Sequence, residues 1–277
     1  MNVDLHCHST ISDGVLTPDQ VAQRAYQNGV ELWALTDHDE VGGLALAQAT
    51  AEQLGIRFVP GVEISVTWLN KTVHIVGLGI DYTHLPLVDA LRYVRSGRKQ
   101  RAIKMAQALA DLGVADALEG AIPFASNPGL VSRTHFARFL VESGHCASIK
   151  EVFDRYLGED GPAFVPMQWA KLENAVRWIH EAGGVAVIAH PGRYAFVPLQ
   201  FDLLFSTFKE LGGEGIEVVT GSHASAQYEH YAQVAKRFGF EASCGSDFHG
   251  PGEGRMDLGK LPALPPGLTP IWQRWLS

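Results

Sequence analysis

The chain has 277 residues, of which 46% are hydrophobic and 19% are charged, and its formal net charge is −8. This length and composition fit one large α/β barrel or two ordinary domains, and they exclude a long disordered tail. The acidic balance argues against long duplex nucleic acid as a partner, because nonspecific duplex binding requires a broad cationic surface.

The cysteines and the N-terminus predict where the protein resides. Cys7, Cys146 and Cys244 are odd in number and form no CxxC pair, so neither a disulfide framework nor a thiolate zinc site is indicated. The first residues have no basic region followed by an apolar stretch, and no apolar run approaches membrane-spanning length. We therefore expect a cytoplasmic protein without membrane contact. No obligate protein partner is evident in the sequence.

Short apolar runs rich in Val, Ile and Leu recur along the chain, and most end in a histidine, a carboxylate or a small polar residue. This pattern is typical of buried parallel strands. Seven strands are predicted, near residues 2–6, 31–36, 57–64, 73–80, 184–190, 215–220 and 241–246. Helical patterns such as TPDQVAQRAYQNG and LENAVRWIHEAGG lie between several of them. The alternation predicts an α/β barrel or a doubly wound sheet.

The alternation is interrupted between residues 92 and 168. Three helical patterns and no convincing strand occur in this part of the chain, namely RSGRKQRAIKMAQALADLG, RTHFARFLVESG and IKEVFDRYLGEDG. We predict a barrel domain made of residues 1–91 and 169–277, with residues 92–168 as a helical insertion that caps the active site. The Pro-rich C-terminal tail is expected to pack on the barrel surface.

Candidate metal ligands recur at the ends of the predicted strands. His6 and His8 are two residues apart in an extended segment, so both side chains point to the same side. The other strands supply His38 in TDHDE, Glu63 in GVEIS, His74, His190 in IAHPGR, and Asp247 and His249 in GSDFHG. The carboxyl ends of barrel strands converge on one face. A lone histidine at a strand end is more often structural, but this whole series predicts a metal site.

These motifs resemble the PHP superfamily, which is named for polymerase and histidinol phosphatase. The resemblance runs from Asp4 to His249 outside the insertion and includes all four family motifs, DLHCHSTISDG, TDHDE, IAHPGR and GSDFHG. It implies a distorted seven-stranded (β/α)7 barrel, similar to a TIM barrel, that holds three cations. By the same resemblance, one ion is held by His6, His8, Glu63 and Asp247. A second is held by the bridging Glu63 with His74 and His190, and a third by Asp13, His38 and His249.

Imidazole and carboxylate ligands without thiolate suit manganese, iron or zinc. We expect two or three divalent ions, with manganese first. Closely spaced cations lower the pKa of a bound water and stabilise charge on the attacking and leaving oxygens of a phosphate ester. The predicted nucleophile is therefore a metal-bound hydroxide held by His6, His8, Glu63 and Asp247. The chain has no GxSxG motif or P-loop that would indicate another route.

Arginines are the predicted phosphate ligands, since a guanidinium offers bidentate hydrogen bonds to phosphate oxygens. Arg193 directly follows the AHP motif, and Arg133 with His135 lies in the insertion as SRTH. We expect Arg133 and Arg193 to hold the phosphoryl group under attack. An arginine in a helical insertion is otherwise most often a surface cation.

Two further segments are ambiguous. Residues 92–104 contain six basic residues and no acidic one, so they form either a solvated helix face or the site of a second phosphate bound by Arg101 and Lys104. Ser222 and His223, in TGSH, either contact the substrate or cap a helix.

Within the superfamily the chain resembles phosphoesterases that act on nucleotides. That resemblance implies removal of the 3′ phosphate from 3′,5′-nucleoside bisphosphates, for example pAp to AMP and phosphate. The alternatives are a 5′-3′ exoribonuclease on short RNA and a histidinol-phosphate phosphatase, whose small cationic substrate has less use for a basic segment. A metal-stabilised interaction module without activity is disfavoured, because the ligand set is complete and no polymerase segment is present.

Overall fold

A sheet of seven strands in sequence order forms a nearly closed, distorted (β/α)7 barrel in the computed structural model, which describes residues 1–276. Ser277, the last residue of the predicted barrel segment, lies outside the described residues. Leu5 N donates to Cys244 O over 3.0 Å, and Asp247 N donates to His6 O over 2.8 Å, so the first and last strands meet. The strands are β1 Val3–Asp4, β2 Leu32–Leu35, β3 Arg57–Trp68, β4 Lys71–Leu78, β5 Val185–Ile188, β6 Gly215–Thr220 and β7 Glu241–Gly245.

Every predicted strand is present, but the prediction that all of them are parallel is wrong. β4 runs antiparallel to both β3 and β5. Leu69 and Asn70 join β3 to β4, and both have positive φ, as in the two-residue turns that fit a twisted hairpin. Because β4 is reversed, its first half lies at the same end of the barrel as the last residues of the parallel strands.

Ten α-helices accompany the strands within residues 1–276. They are α1 Pro18–Gln27, α2 Leu44–Leu54, α3 Leu85–Arg95, α4 Arg98–Asp111, α5 Ala117–Ala121, α6 Arg133–Glu142, α7 Ile149–Val152, α8 Leu172–Glu181, α9 Pro198–Glu210 and α10 Ser225–Phe238. A π-helical turn, Phe153–Leu157, continues α7. The helical patterns predicted between residues 92 and 168 are thus confirmed. Within residues 1–276 no helix is long and apolar enough to span a bilayer.

The buried apolar side chains form two separate clusters. The larger cluster fills the barrel and includes Trp33, Ile64 and Ile188, whereas the smaller one lies within the insertion around Met105 and Phe136. Each cluster removes its own apolar surface from water, which is how a structural unit obtains a core. The smaller cluster lies within residues 102–163, but Val94 belongs to the larger one, so the division at residues 92–168 stays a prediction. The tail packs on the barrel as predicted, with Ile271 fully buried.

The barrel closes tightly at Gly245, at the end of β7. A Cβ added there would lie 2.2 Å from His6 Cβ and 2.8 Å from His6 N, so an alanine cannot fit unless His6 moves. We expect Gly245→Ala to lower the free energy of unfolding by about 1–3 kcal/mol, as overpacking does. Gly254→Ala is the control, because its Cβ would have no heavy atom closer than 3.5 Å. Denaturant unfolding measures both variants, and equal stability of the two would contradict this close approach.

Candidate metal centre

All the side chains predicted as metal ligands meet at the carboxyl end of the barrel. They belong to four groups, and within each group the ligand atoms lie within 4.8 Å of one another. The groups are His8, Asp13, His38 and His249; His6, Glu63 and His190; His6, His8 and Asp247; and His38, Glu63 and His74. His74 joins them because it lies in the first half of the reversed strand β4. Several residues belong to two groups, so one connected cluster is formed.

Glu63 lies at the centre of the cluster and is fully buried on β3. Its Oε1 is 2.8 Å from His74 Nδ1 and 2.9 Å from His190 Nε2. Its Oε2 is 2.7 Å from His38 Nδ1. Burial opposes ionisation, but the surrounding imidazoles, His38 foremost, hold the pKa of Glu63 well below its ordinary value. A carboxylate in this position has one oxygen on each side of the cluster, as a bridging ligand requires.

Two aspartates extend the cluster beyond Glu63. Asp247 Oδ1 lies 3.3 Å from His8 Nε2 and 3.7 Å from His6 Nε2. Asp13 Oδ1 lies 3.3 Å from His249 Nε2. Buried carboxylates alternate with imidazoles throughout, which is the donor set of oxygen- and nitrogen-liganded divalent cations.

Cations fit the cluster only if it has ligand atoms without other partners, and it has several. Buried atoms without a hydrogen-bond partner among residues 1–276 include His6 Nε2, both ring nitrogens of His8, Asp13 Oδ1, His38 Nδ1, Glu63 Oε2 and His190 Nδ1. A buried polar atom without a partner costs about 1–3 kcal/mol. So many such atoms facing one another are unfavourable unless a ligand satisfies them, and divalent cations would do so.

Glu217 supports the cluster from behind, and the sequence reasoning missed it. Its Oε1 is 2.8 Å from His6 Nδ1, and its Oε2 accepts a 2.6 Å hydrogen bond from His190 N. When His6 donates through Nδ1, its Nε2 lone pair faces Glu63, which is how outer carboxylates orient histidine ligands. The available signal was a lone charged residue inside the apolar strand sequence GIEVVT.

Backbone conformation also indicates a constrained site. Asp39, His190 and Asp247 all have positive φ, a region that residues other than glycine seldom adopt. Strained residues of this kind persist where surrounding contacts hold them, and they concentrate at functional sites. Asp39 is held by Ser65, whose N and Oγ donate to its carboxylate over 2.7 and 2.9 Å.

Four arginines line the cleft beside the cluster: Arg98, Arg101, Arg133 and Arg193. Arg193 Nη1 donates to Asp247 Oδ2 over 2.7 Å, so it lies at the edge of the cluster. Burial and then Arg193 lower the pKa of Arg133 to about 10. Burial and then Arg133 lower the pKa of Arg101 to about 9. Arg101 and Arg133 lie 6.0 and 5.5 Å from the centroid of the same ring, Phe164, whereas Arg193 lies at Asp247.

Aromatic rings pack against these guanidiniums. Trp169 lies 4.7 Å from the Arg98 guanidinium and 5.4 Å from that of Arg101, measured to the ring centroid. Phe164 lies 5.5 Å from the guanidinium of Arg133. Cation–π contacts hold like charges in place when no carboxylate compensates them. Arg98 is paired with Asp39, whereas in residues 1–276 no carboxylate lies within 4.0 Å of Arg101 or Arg133.

Four other predicted substrate contacts are placed elsewhere. Lys104 is exposed and is not among the described residues that line the cleft. It lies about 120° around α4 from Arg98, because each residue advances the helix by 100°. The residue that lines the cleft instead is Arg98, which the prediction did not select.

The remaining three have structural partners. His135 is buried, and its Nδ1 accepts a hydrogen bond from Ser132 N over 3.0 Å at the start of α6. His223 Nε2 accepts from Gly192 N over 3.0 Å and thereby braces the segment after His190. Ser222 Oγ lies 2.9 Å from Thr220 Oγ1. Neither His223 nor Ser222 caps α10, whose preceding residue is Ala224. None of these three is among the described residues that line the cleft.

The barrel, with a cluster of candidate metal ligands at its carboxyl end beside a cationic cleft, defines the class of the protein. A family model for the PHP domain matches residues 4–196. The chain belongs to this family, which confirms the family that the four motifs predicted.

Individual relatives are similar over nearly the whole chain. The chain is 50% identical to a 3′,5′-nucleoside bisphosphate phosphatase of Chromobacterium violaceum, over 98% of this chain and 95% of that protein. It is 40% identical to a 5′-3′ exoribonuclease of Haemophilus influenzae, over 98% of each. A solved structure of an amidohydrolase from Chromobacterium violaceum, with bound sulfate and no metal, superposes with a TM-score of 0.96 and 49% identity. It covers 99% of this chain and 95% of that one.

Proposed function

We propose that the protein is a metal-dependent phosphatase that removes the 3′ phosphate from 3′,5′-nucleoside bisphosphates, such as pAp, to leave a 5′ monophosphate. One observation carries the proposal. The cleft that begins at the candidate metal centre continues into half-buried Arg133 and buried Arg101, neither of which has a carboxylate within 4.0 Å in the described chain. Uncompensated buried guanidiniums are costly without an anion, so the cleft suits a substrate with a second phosphate. The 50% identical relative supports the same substrate class.

Divalent cations held by the clustered histidines and carboxylates would supply a Lewis acid and an acidified water for attack on phosphorus. The four ligand groups share residues, which suits two or three ions, and their imidazole and carboxylate ligands suit manganese, iron or zinc, of which manganese is the one proposed. The assignment of each ligand to one ion, with Glu63 shared between two, is part of this proposal.

The protein's own contribution is orientation and charge. Arg193 is fixed by Asp247 at the edge of the cluster, where its remaining donors can hold the phosphoryl group that is attacked. Arg101 donates its Nε to Val165 O over 2.8 Å, which anchors the guanidinium and leaves its terminal nitrogens for the 5′ phosphate. Arg133 packs against the same ring as Arg101, Phe164, and can contact either group. Positioned cations lower the barrier most where negative charge develops.

A 5′-3′ exoribonuclease on short RNA is the second candidate. The 40% identical relative with that name favours it, and the same arginines would hold a 5′ phosphate of an oligonucleotide. The acidic net charge of −8 restricts either activity to small ligands that the cleft itself contacts.

The test is phosphate release by the purified full chain from adenosine 3′,5′-bisphosphate, AMP, histidinol phosphate and a short 5′-phosphorylated RNA. We expect the bisphosphate to give the highest kcat/KM, AMP to be inert, and manganese to restore activity after treatment with a chelator. Equal turnover of histidinol phosphate would contradict the nucleotide assignment. Faster release of mononucleotides from RNA would favour the second candidate.

A further inference from the structure

The insertion touches the candidate metal centre directly, at the ligand Asp13. Ser132, which precedes α6, donates its hydroxyl proton to Asp13 Oδ2 over 3.0 Å. The other oxygen, Asp13 Oδ1, has no hydrogen-bond partner among the described residues and faces His249 Nε2 at 3.3 Å and His38 Nε2 at 3.8 Å. Ser132 thus fixes one carboxylate oxygen so that the other faces the imidazoles.

The direction of this hydrogen bond is determined by the local geometry. Ser132 Oγ also accepts a 3.1 Å hydrogen bond from Thr134 N, the capping contact at the start of α6. A hydroxyl has one proton and two lone pairs, and an ionised carboxylate only accepts. Because Thr134 N can only donate, the single proton of Ser132 is directed to Asp13. The start of α6 and the orientation of this ligand are therefore coupled.

A second residue of α6 holds the same region. Arg138 Nη2 donates to Asp13 O over 2.7 Å, which fixes the backbone of the ligand. The Arg138 Nε and Nη2 groups also donate to the two carboxylate oxygens of Glu253, each over 2.7 Å. Glu253 lies in the segment that follows His249. The Arg138 side chain is buried, so these charge-assisted bonds are shielded from solvent.

We propose that Ser132 and Arg138 are positioning residues through which the helical insertion holds the cation site formed by Asp13, His38 and His249. This inference rests on the metal centre proposed above, but not on the identity of the substrate. In this arrangement the docking of the insertion and the loading of one cation stabilise each other, since each requires the same orientation of Asp13. Ions nearest Glu63 would be held by barrel residues, with Glu217 behind His6, and would not depend on α6.

The experiment is equilibrium dialysis of the full chain against buffered free Mn²⁺, with the metal per chain counted by mass spectrometry. We expect Ser132→Ala to weaken one class of Mn²⁺ site by about 10–100-fold, the usual effect of losing an outer-shell partner, while the other class keeps its affinity. Ser132→Thr retains a hydroxyl and should restore binding. Ser143→Ala is the matched control, because Ser143 Oγ at the other end of α6 donates only to Phe139 O.

Ser132→Gly separates the hydroxyl from the helix cap, because glycine at this position costs a helix little. It should lose the same Mn²⁺ class as Ser132→Ala. Combining Ser132→Ala with Asp13→Asn should remove no more Mn²⁺ than Asp13→Asn alone. Arg138→Met should weaken that class as well.

Three results would overturn the inference: wild-type Mn²⁺ binding in Ser132→Ala and Ser132→Gly, equal weakening of all sites, or an additive loss in the double variant. The proposed function is tested separately. A wild-type chain that binds Mn²⁺ but releases no phosphate from the bisphosphate would refute that function and leave the inference intact.

Discussion

Glu63→Gln is expected to leave a folded protein that retains little metal and whose phosphatase activity is lower by several orders of magnitude. The carboxylate contacts imidazoles through both oxygens, at 2.7 to 2.9 Å from three of them, and it belongs to two of the candidate ligand groups. A glutamine has the same shape but no charge, so it cannot balance adjacent divalent cations. The loss should exceed the ~10–100-fold typical of an outer-shell partner.

Metal content by mass spectrometry and phosphate release from the bisphosphate measure this effect, with circular dichroism to confirm folding. Glu52→Gln is the control, since Glu52 is exposed on α2 and contacts only Gln48. Full metal content together with normal turnover in Glu63→Gln would refute the bridging role. Asp13→Asn should be milder, because that carboxylate serves one edge of the cluster.

Arg101→Gln is expected to raise KM for adenosine 3′,5′-bisphosphate while leaving KM for adenosine 3′-monophosphate nearly unchanged. Arg101 packs with Arg133 against Phe164, whereas Arg193 lies at Asp247, so we expect Arg101 to contact the phosphate that is not cleaved. Each charge-assisted hydrogen bond lost should cost about 1.5–3 kcal/mol, which corresponds to about a tenfold to hundredfold rise in KM. Steady-state kinetics on the two substrates measure the difference.

Two matched variants sharpen this test. Lys104→Gln removes a cation from the same helix but on an exposed face, so it should change neither KM. Arg193→Gln should lower kcat on both substrates, because Arg193 is fixed at Asp247, where the phosphoryl group would be attacked. If Arg101→Gln affects the bisphosphate and the monophosphate equally, Arg101 does not recognise the second phosphate.

Sequence patterns predicted the barrel well because its signals are local. Each strand is a short apolar run that ends in a polar residue, and the convergence of His6, His38 and His190 follows once those runs become neighbouring strands. The reversal of β4 was not predicted from the pattern, because a buried strand has the same apolar sequence in either direction. That reversal is what brings His74 to the cluster.

The basic segment, residues 92–104, could not be interpreted from local sequence in this way. Arg98, Arg101 and Lys104 were grouped by their spacing in the sequence, but burial separates them on one helix. Arg98 and Arg101 face the cleft, and Lys104 faces solvent. Their partners come from distant parts of the chain, with Asp39 following β2 and Trp169 preceding α8. Helical periodicity alone cannot say which face a neighbouring element will cover.

The sequence by itself determined the strands, the helical insertion and the family, together with the histidines and carboxylates at the strand ends. These depend on residue type and on spacing along a short segment, which the chain carries locally. Only the tertiary structure decided the direction of β4, the support of His6 by Glu217, the choice of Arg98 over Lys104, and the contact of Ser132 with Asp13. Each of these joins residues far apart in the chain, and such contacts depend on how the folded elements pack, which no local pattern records.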